Sequence, residues 1–200
     1  MARVAGSARQ QILDVASKLF YQEGFRAVGI DTIIEQSGVA KMTLYRHFAS
    51  KDDLIVAYLE QSNEGFWRWF DSAVAIYAEP RRQLYALFEA LEKLVTNPTC
   101  LGCTFQGTAA EFPDRQHPGH AVALAHKQSV RERLRKMAAE AGAKEPETLA
   151  AQLLLLMDGA FVAARMYGPL NPENPARSVT KAAATLLDTF LPAENVTTPA

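Results

Sequence analysis

The run Gly38-Val39-Ala40-Lys41-Met42-Thr43-Leu44-Tyr45-Arg46-His47-Phe48 constrains this chain more than any other stretch. Gly38 stands where one short helical pattern stops, and Lys41 or Met42 opens another. A glycine just past a helix end takes a positive φ at little cost, so the pattern reads as helix, tight turn, helix. Leu44 and Phe48, four residues apart, can face inward together. Lys41, Thr43, Tyr45, Arg46 and His47 are then left outward. No Asp or Glu occurs between Ser37 and Lys51. A helix face with donors and cations but no carboxylate suits a polyanion.

The charge distribution agrees. The 200 residues hold 21 Lys+Arg and 22 Asp+Glu, a net charge of −1. Residues 1–51 carry seven bases and four acids, and the remainder 14 bases and 18 acids, so the charges are +3 and −4. A basic head on an acidic body fits a head that meets phosphates and a body that stays clear of them. With 48% hydrophobic residues the chain can bury a sizeable core as one or two domains. No apolar run approaches the ~20 residues of a membrane span. Leu153–Met157 soon meets Asp158. The first residues lack a hydrophobic signal region, so a cytoplasmic location is expected. Two cysteines do not make a disulfide framework.

Apolar spacing predicts helices throughout. The first runs from Ala8, capped near Ser7, through Ile12, Leu13, Ala16, Leu19 and Phe20 to Gly24. The second passes Ile33 and Ile34 to Ser37, with Gly29 or Asp31 as its N-cap. Ser50 caps a helix expected from Lys51 to Ala78 and broken by Pro80. Leu84 to Val95 forms the next, ended by Asn97-Pro98. A short helix is expected near Thr108 to Phe112, and a longer one over Ala121 to Ala141 with Val122, Leu124, Ala125, Val130, Leu134 and Met137 buried. Pro146 opens the next, and Ser178 to Leu191 is the last. Met1 to Ser7 reads as a loose arm and Asn195 to Ala200 as a frayed end. No period-two strand is visible.

Ile12-Leu13-Asp14-Val15-Ala16, Leu19-Phe20, Glu23-Gly24-Phe25, Ile33, Gly38 to Lys41, Thr43 to Phe48 and Lys51-Asp52-Asp53-Leu54 together resemble the DNA-binding domain of the tetracycline-repressor (TetR) family of transcriptional regulators. The resemblance covers about the first quarter of the chain. Beyond it the likeness rests on length, helical pattern and the segment Gly102 to Phe105. It implies an all-α protein with a three-helix helix-turn-helix domain, 1–51, and a helical bundle for effector binding and dimerisation, 52–200. It also implies a one-component regulator, most often a repressor, that binds a palindromic double-stranded operator as a homodimer and is released by a small-molecule effector. No cofactor, membrane association or enzymatic activity is expected.

Residue by residue, the resemblance places Lys41 and Met42 near bases. It puts Thr43, Tyr45, His47 and Lys51 near phosphates, with a thymine methyl as an alternative for Tyr45. Arg46 joins them as an outward base. The family usually has Ser or Thr near position 29, where this chain has Gly29; Thr32 is the nearest substitute.

With Trp69, Tyr77, Phe112, Met137, Met157 and Met166, the rings of Phe66, Trp67, Phe70, Phe88, Phe105 and Phe161 are more than one face of a small bundle requires. The resemblance implies an effector pocket among the helices of the body. These rings are candidates to line a pocket for a largely apolar effector, against the plainer reading of core packing. Cys100-Leu101-Gly102-Cys103 lacks the second pair of a zinc site and reads as buried thiols. His117, His120 and His126 read as loop and surface residues. A thiol- or metal-responsive sensor built on Cys100/Cys103 or these histidines is the alternative function. Small residues at Ala150, Ala151, Ala160, Ala163, Ala164, Ala182, Ala183 and Ala184 suit close helix packing, and by resemblance a two-fold interface through the last two helices.

Overall fold

The computed structural model describes residues 7–193. Of the arm expected over Met1 to Ser7, Ser7 is described and caps α1, while residues 1–6 and the fraying expected from Asn195 fall outside that range. The described residues form helices and turns, with no strand among them. In order they are α1 (Ala8–Glu23), α2 (Ile30–Ser37), α3 (Lys41–His47), α4 (Lys51–Val74), α5 (Pro80–Val95), α6 (Thr104–Glu111), α7 (Pro118–Glu140), α8 (Pro146–Tyr167), a 3-10 turn (Pro175–Ser178) and α9 (Val179–Phe190).

The expected all-α architecture is the observed one, and the boundaries follow from local chemistry. Ser7 accepts from the Gln10 N–H to start α1, and Gly24, at φ +87°, stops it. Ser50 and Asp53 cap α4 reciprocally, with Asp53 N–H donating to Ser50 Oγ at 3.1 Å and Ser50 N–H to Asp53 Oδ2 at 3.0 Å. α4 stops at Val74 rather than Ala78. Pro80 is the first residue of α5 and holds Glu79 extended, at ψ 123°. α6 begins at Thr104, four residues before the expected Thr108. α7 begins at Pro118, where His117 Nδ1 accepts from the Gly119 N–H at 3.1 Å.

The chain divides into two compact units. The first comprises the described residues up to Phe66, with Thr104–His126. Its core is built from Ile12, Leu13, Ala16, Leu19 and Phe20 of α1, Ile33 of α2, Leu44 of α3 and Leu54, Ile55, Tyr58 and Leu59 of α4. Phe25 joins three other rings, its centroid 5.2 Å from Phe20, 5.9 Å from Tyr58 and 5.5 Å from Phe112. α6 is tied into this unit at both ends, by a 2.9 Å hydrogen bond between the Thr104 and Tyr58 hydroxyls and by the Glu111 carboxylate.

The second unit comprises Trp67–Cys103 and the described residues from Lys127 onward. α5, α8 and α9 pack on one another, burying Leu84, Leu87, Phe88 and Leu91 against Leu149, Leu153, Met157, Val179, Ala183 and Leu187. Arg81 and Tyr85 of α5 both reach Asp188 of α9, at 2.9 and 2.6 Å. The connection after α8 is pinned by buried Asn174, which donates to Gly168 O and accepts from the Ala176 N–H.

α8 is, by length and composition alone, apolar enough to cross a bilayer, with a mean hydropathy of 1.5 over an 18-residue window. The sequence reading of no such run is corrected here: Asp158 interrupts the stretch without ending it. Asp158 is paired with Lys127 of α7. One face of α8 is buried in its unit, whereas Leu155, Val162 and Met166 are exposed.

Candidate nucleic-acid interface

α3 is held by two anchors. Leu44 is fully buried and Phe48 nearly so, each such burial contributing roughly 1.5–3 kcal/mol. Gly38, at φ +66°, ends α2 in the left-handed conformation and donates its N–H to Ile34 O. Gln11 Nε2 ties α1 to the Ser37 carbonyl at 2.6 Å. A seven-residue helix has little stability of its own, so these contacts determine where its outer face points.

That outer face differs from the expected one at its flanks. Met42 is 80% exposed and Tyr45 41%, and Lys41 and Arg46 are exposed as well. Thr43 and His47 are half-buried on its flanks. Lys41 Nζ lies 3.4 Å from Asp31 Oδ1 in a pair exposed on both sides. Such a pair contributes well under ~1 kcal/mol and yields readily to a phosphate. Asp31 is nevertheless an acid beside a cation expected to meet DNA.

Lys51 is placed differently from a simple surface cation. It is half-buried, and its Nζ donates to the Phe25 carbonyl at 2.6 Å. An ammonium has three donors, so two remain for a phosphate. Its position is thus set by the turn between α1 and α2. Gly29 caps α2 without a side-chain hydrogen bond, and a Cβ there would lie 3.8 Å from Thr32 Oγ1. Thr32 therefore stands close to the helix start where the family usually has a hydroxyl. Arg9 was missed in the sequence: its guanidinium lies 5.1 Å from the Phe48 ring centroid, which keeps a further cation beside α3. An Arg on the first turn of α1 gave no local signal of that long-range contact.

The six aromatic ligand candidates divide between the units. Phe66 and Phe105 belong to the first and flank His126. Phe105 stacks on the imidazole at 3.6 Å and Phe66 meets it edge-on at 4.7 Å. Trp67, Phe70, Phe88 and Phe161 belong to the second. Trp67 and Phe70 have centroids 5.4 Å apart. Phe70 and Phe88 are fully buried, Phe105 and Phe161 nearly so, and Phe66 and Trp67 half-buried.

His126 is not the surface residue expected. It is 4% exposed and its Nδ1 lies 2.7 Å from Asn63 Oδ1. An amide oxygen only accepts, so Nδ1 carries the proton. Leu124 and Ala125, expected to be buried, are exposed instead; α7 turns its histidine inward because Asn63 satisfies it. Among the described residues no group of three or more His, Cys, Asp or Glu is placed to hold a metal ion. Cys100 is buried, Cys103 half-buried, and no disulfide joins them.

Comparison with known proteins gives a consistent result. Residues 12–58 match the family described as bacterial regulatory proteins, tetR family, and residues 80–180 match the tetracyclin repressor-like C-terminal domain. SCO4454, a TetR-family transcriptional regulator from Streptomyces coelicolor, is 32% identical with a TM-score of 0.87, covering 92% of this chain and 90% of its own. The transcriptional activator FasR of Mycolicibacterium smegmatis is 35% identical over 82 residues, 41% of this chain and 37% of FasR. The transcriptional repressor KstR2 of Mycobacterium tuberculosis is 32% identical over 93 residues, 45% of this chain and 46% of KstR2. The chain thus spans less than half the length of either of these curated relatives. With both halves matched by family models and a solved relative aligned over nine-tenths of its length, this chain belongs to the tetR family of bacterial regulatory proteins.

Proposed function

We propose that the chain is a one-component transcriptional regulator that binds a pseudo-palindromic DNA operator as a homodimer and is released by a small, largely apolar effector. The observation that carries the reading is α3 itself. Buried Leu44 and Phe48 anchor a helix whose solvent face presents Lys41, Met42, Tyr45 and Arg46 and no carboxylate. Such a helix enters a major groove with its first residues toward base edges and its flanks toward phosphates. The functional division we propose falls between residues 51 and 52, because every DNA-facing candidate on α3 and at the start of α4 precedes it. A regulator that works on DNA in this way belongs in the cytoplasm.

The dimer is proposed to form through α8 and α9. Exposed Leu155, half-buried Leu156 and Ala163, and Ala182 line a largely apolar groove of about 240 Å³ on these helices. For the effector, the second unit offers the part-open ring of Trp67 with the buried rings of Phe70, Phe88 and Phe161, and the first offers half-buried Phe66 and buried Phe105. Burying a strong charge among such rings is unfavourable, which supports an apolar ligand. The effector favours a dimer geometry that does not match consecutive major grooves, and its differential affinity sets the coupling. Relatives are named activator in one case and repressor in another; repression is the reading we propose. Footprinting on DNA flanking the gene tests the proposal, with a two-fold-related protected site expected.

A further inference from the structure

The carboxyl end of α6 grips the turn between α1 and α2. Glu111 Oε1 accepts the Phe25 N–H at 3.0 Å, and Oε2 accepts the Arg26 N–H at 2.8 Å. Arg26 returns the contact, its Nη2 donating to the Glu111 carbonyl at 2.8 Å. One carboxylate thus takes two consecutive backbone amides, each oxygen accepting one. The approach depends on Gly24, because a Cβ there would lie 2.8 Å from Glu111 Oε1. The chain gives up a side chain at this point and admits the carboxylate.

What the clasp holds lies upstream of the DNA-facing surface. Phe25 is buried among Phe20, Tyr58 and Phe112, and its carbonyl accepts from Lys51 Nζ. Residues 25–29 then lead directly into α2, whose far end passes through Gly38 into α3. The same turn therefore locates both the start of the α2–α3 pair and the ammonium of Lys51. Among the described residues, those of α2 and α3 make no hydrogen bond to Glu111, so its influence runs through the turn.

We propose that Glu111 is a positioning residue for DNA binding: by clasping the Phe25 and Arg26 amides it fixes the α1–α2 turn, and with it Lys51 and the α2–α3 pair, in the DNA-reading register. The inference rests on the DNA-binding function proposed above. It makes α6 part of the reading apparatus although α6 carries none of the candidate DNA contacts.

Glu111→Gln tests it. The side chain keeps its shape, but its NH₂ group then faces a backbone N–H and cannot accept from it. Binding is measured by fluorescence anisotropy on a duplex carrying the sequence the wild-type chain protects, at a temperature where circular dichroism shows both proteins fully folded. The expected result is about a tenfold loss of affinity, the consequence of one lost charge-assisted hydrogen bond, with faster amide hydrogen exchange at Phe25 and Arg26. A purely stabilising role would lower the melting temperature and leave the affinity of the folded protein unchanged, so affinity within twofold of wild type overturns the proposal. Should Glu111→Gln not fold, Glu111→Asp, whose shorter side chain draws the carboxylate away from both amides, decides by the same criterion. Wild-type protein that binds no duplex overturns the functional reading, and the inference with it. That outcome is distinct from a wild type that binds and a variant that binds equally.

Discussion

Asp31 and Lys41 pose the sharpest question at the scale of single residues, because an acid lies 3.4 Å from a cation expected to meet DNA. Removing the acid frees the ammonium and takes a negative charge away from the phosphates. Asp31→Asn is expected to tighten operator binding by a few-fold at low salt, with the gain fading as salt screens it. Looser binding would mean that Asp31 positions Lys41 rather than competing for it. Tyr45 and Lys51 separate two kinds of loss. Tyr45→Ala is expected to weaken operator binding with the fold intact, since the ring is 41% exposed. Lys51→Ala is expected to weaken binding to all sequences and reduce the salt slope by about one unit. It should also lower stability, because the Phe25 carbonyl loses its donor at a cost of about 1–3 kcal/mol. Anisotropy titrations across salt and thermal melts read both effects.

At the scale of elements, the readable features were those that local chemistry decides. Gly38, the Ser50 cap and the Leu44/Phe48 pair located α3 from sequence because each acts within a few residues. The burial of His126 and the grip of Glu111 on the α1–α2 turn were not readable. Each depends on a partner far along the chain: Asn63 for His126, and Phe25 and Arg26 for Glu111. The aromatic residues show the same limit. Phe70, Phe88 and Phe161 stood open between core and pocket in the sequence, because periodicity cannot divide packed ring from pocket wall, nor assign Phe66 and Trp67 to different units.

The clasp of α5 on α9 carries a pH prediction. Burial, then the hydrogen bond to Asp188, raises the Tyr85 pKa above its ordinary 10.0. A group whose pKa is raised by folding contributes stability that is full below its unfolded value and lost as pH rises through the folded value. Tyr85→Phe is therefore expected to cost about 1 kcal/mol near neutrality, discounted for the exposure of Asp188. The difference from wild type should shrink above pH 10. Denaturant melts from pH 8 to 11 check this; a difference that stays constant would show that the phenol proton plays no part.

At the scale of the whole molecule, α8 and α9 leave an apolar surface that a single chain does not cover. Ala150, Ala160, Ala164 and Ala183 are buried within their own unit, whereas Ala163 and Ala182 remain part-exposed beside Leu155. Small-residue content alone could not separate these two sets. Leu155→Glu is the clean test of the proposed dimer, since that side chain is 71% exposed in one chain and a charge there disturbs no core. Sedimentation velocity is expected to show a monomer for this variant and for Leu186→Glu, because an interface would bury the new carboxylate unpaired. Two dimeric variants would place the interface elsewhere. For the effector, apolar and aromatic compounds should release DNA at lower concentration than sugars or phosphates of similar size. A screen in which only strongly charged metabolites do so would identify the aromatic rings as core.

The proposed regulator works only if α3 reads duplex DNA. The most direct measurement is DNase footprinting of the purified chain on the DNA flanking its own gene, beside the Tyr45→Ala variant. We expect two protected half-sites related by a two-fold axis and centred about one helical turn, or a multiple of it, apart, with protection weakened in the variant. Absence of protection at micromolar protein and physiological salt, or equal protection by the variant, would contradict it.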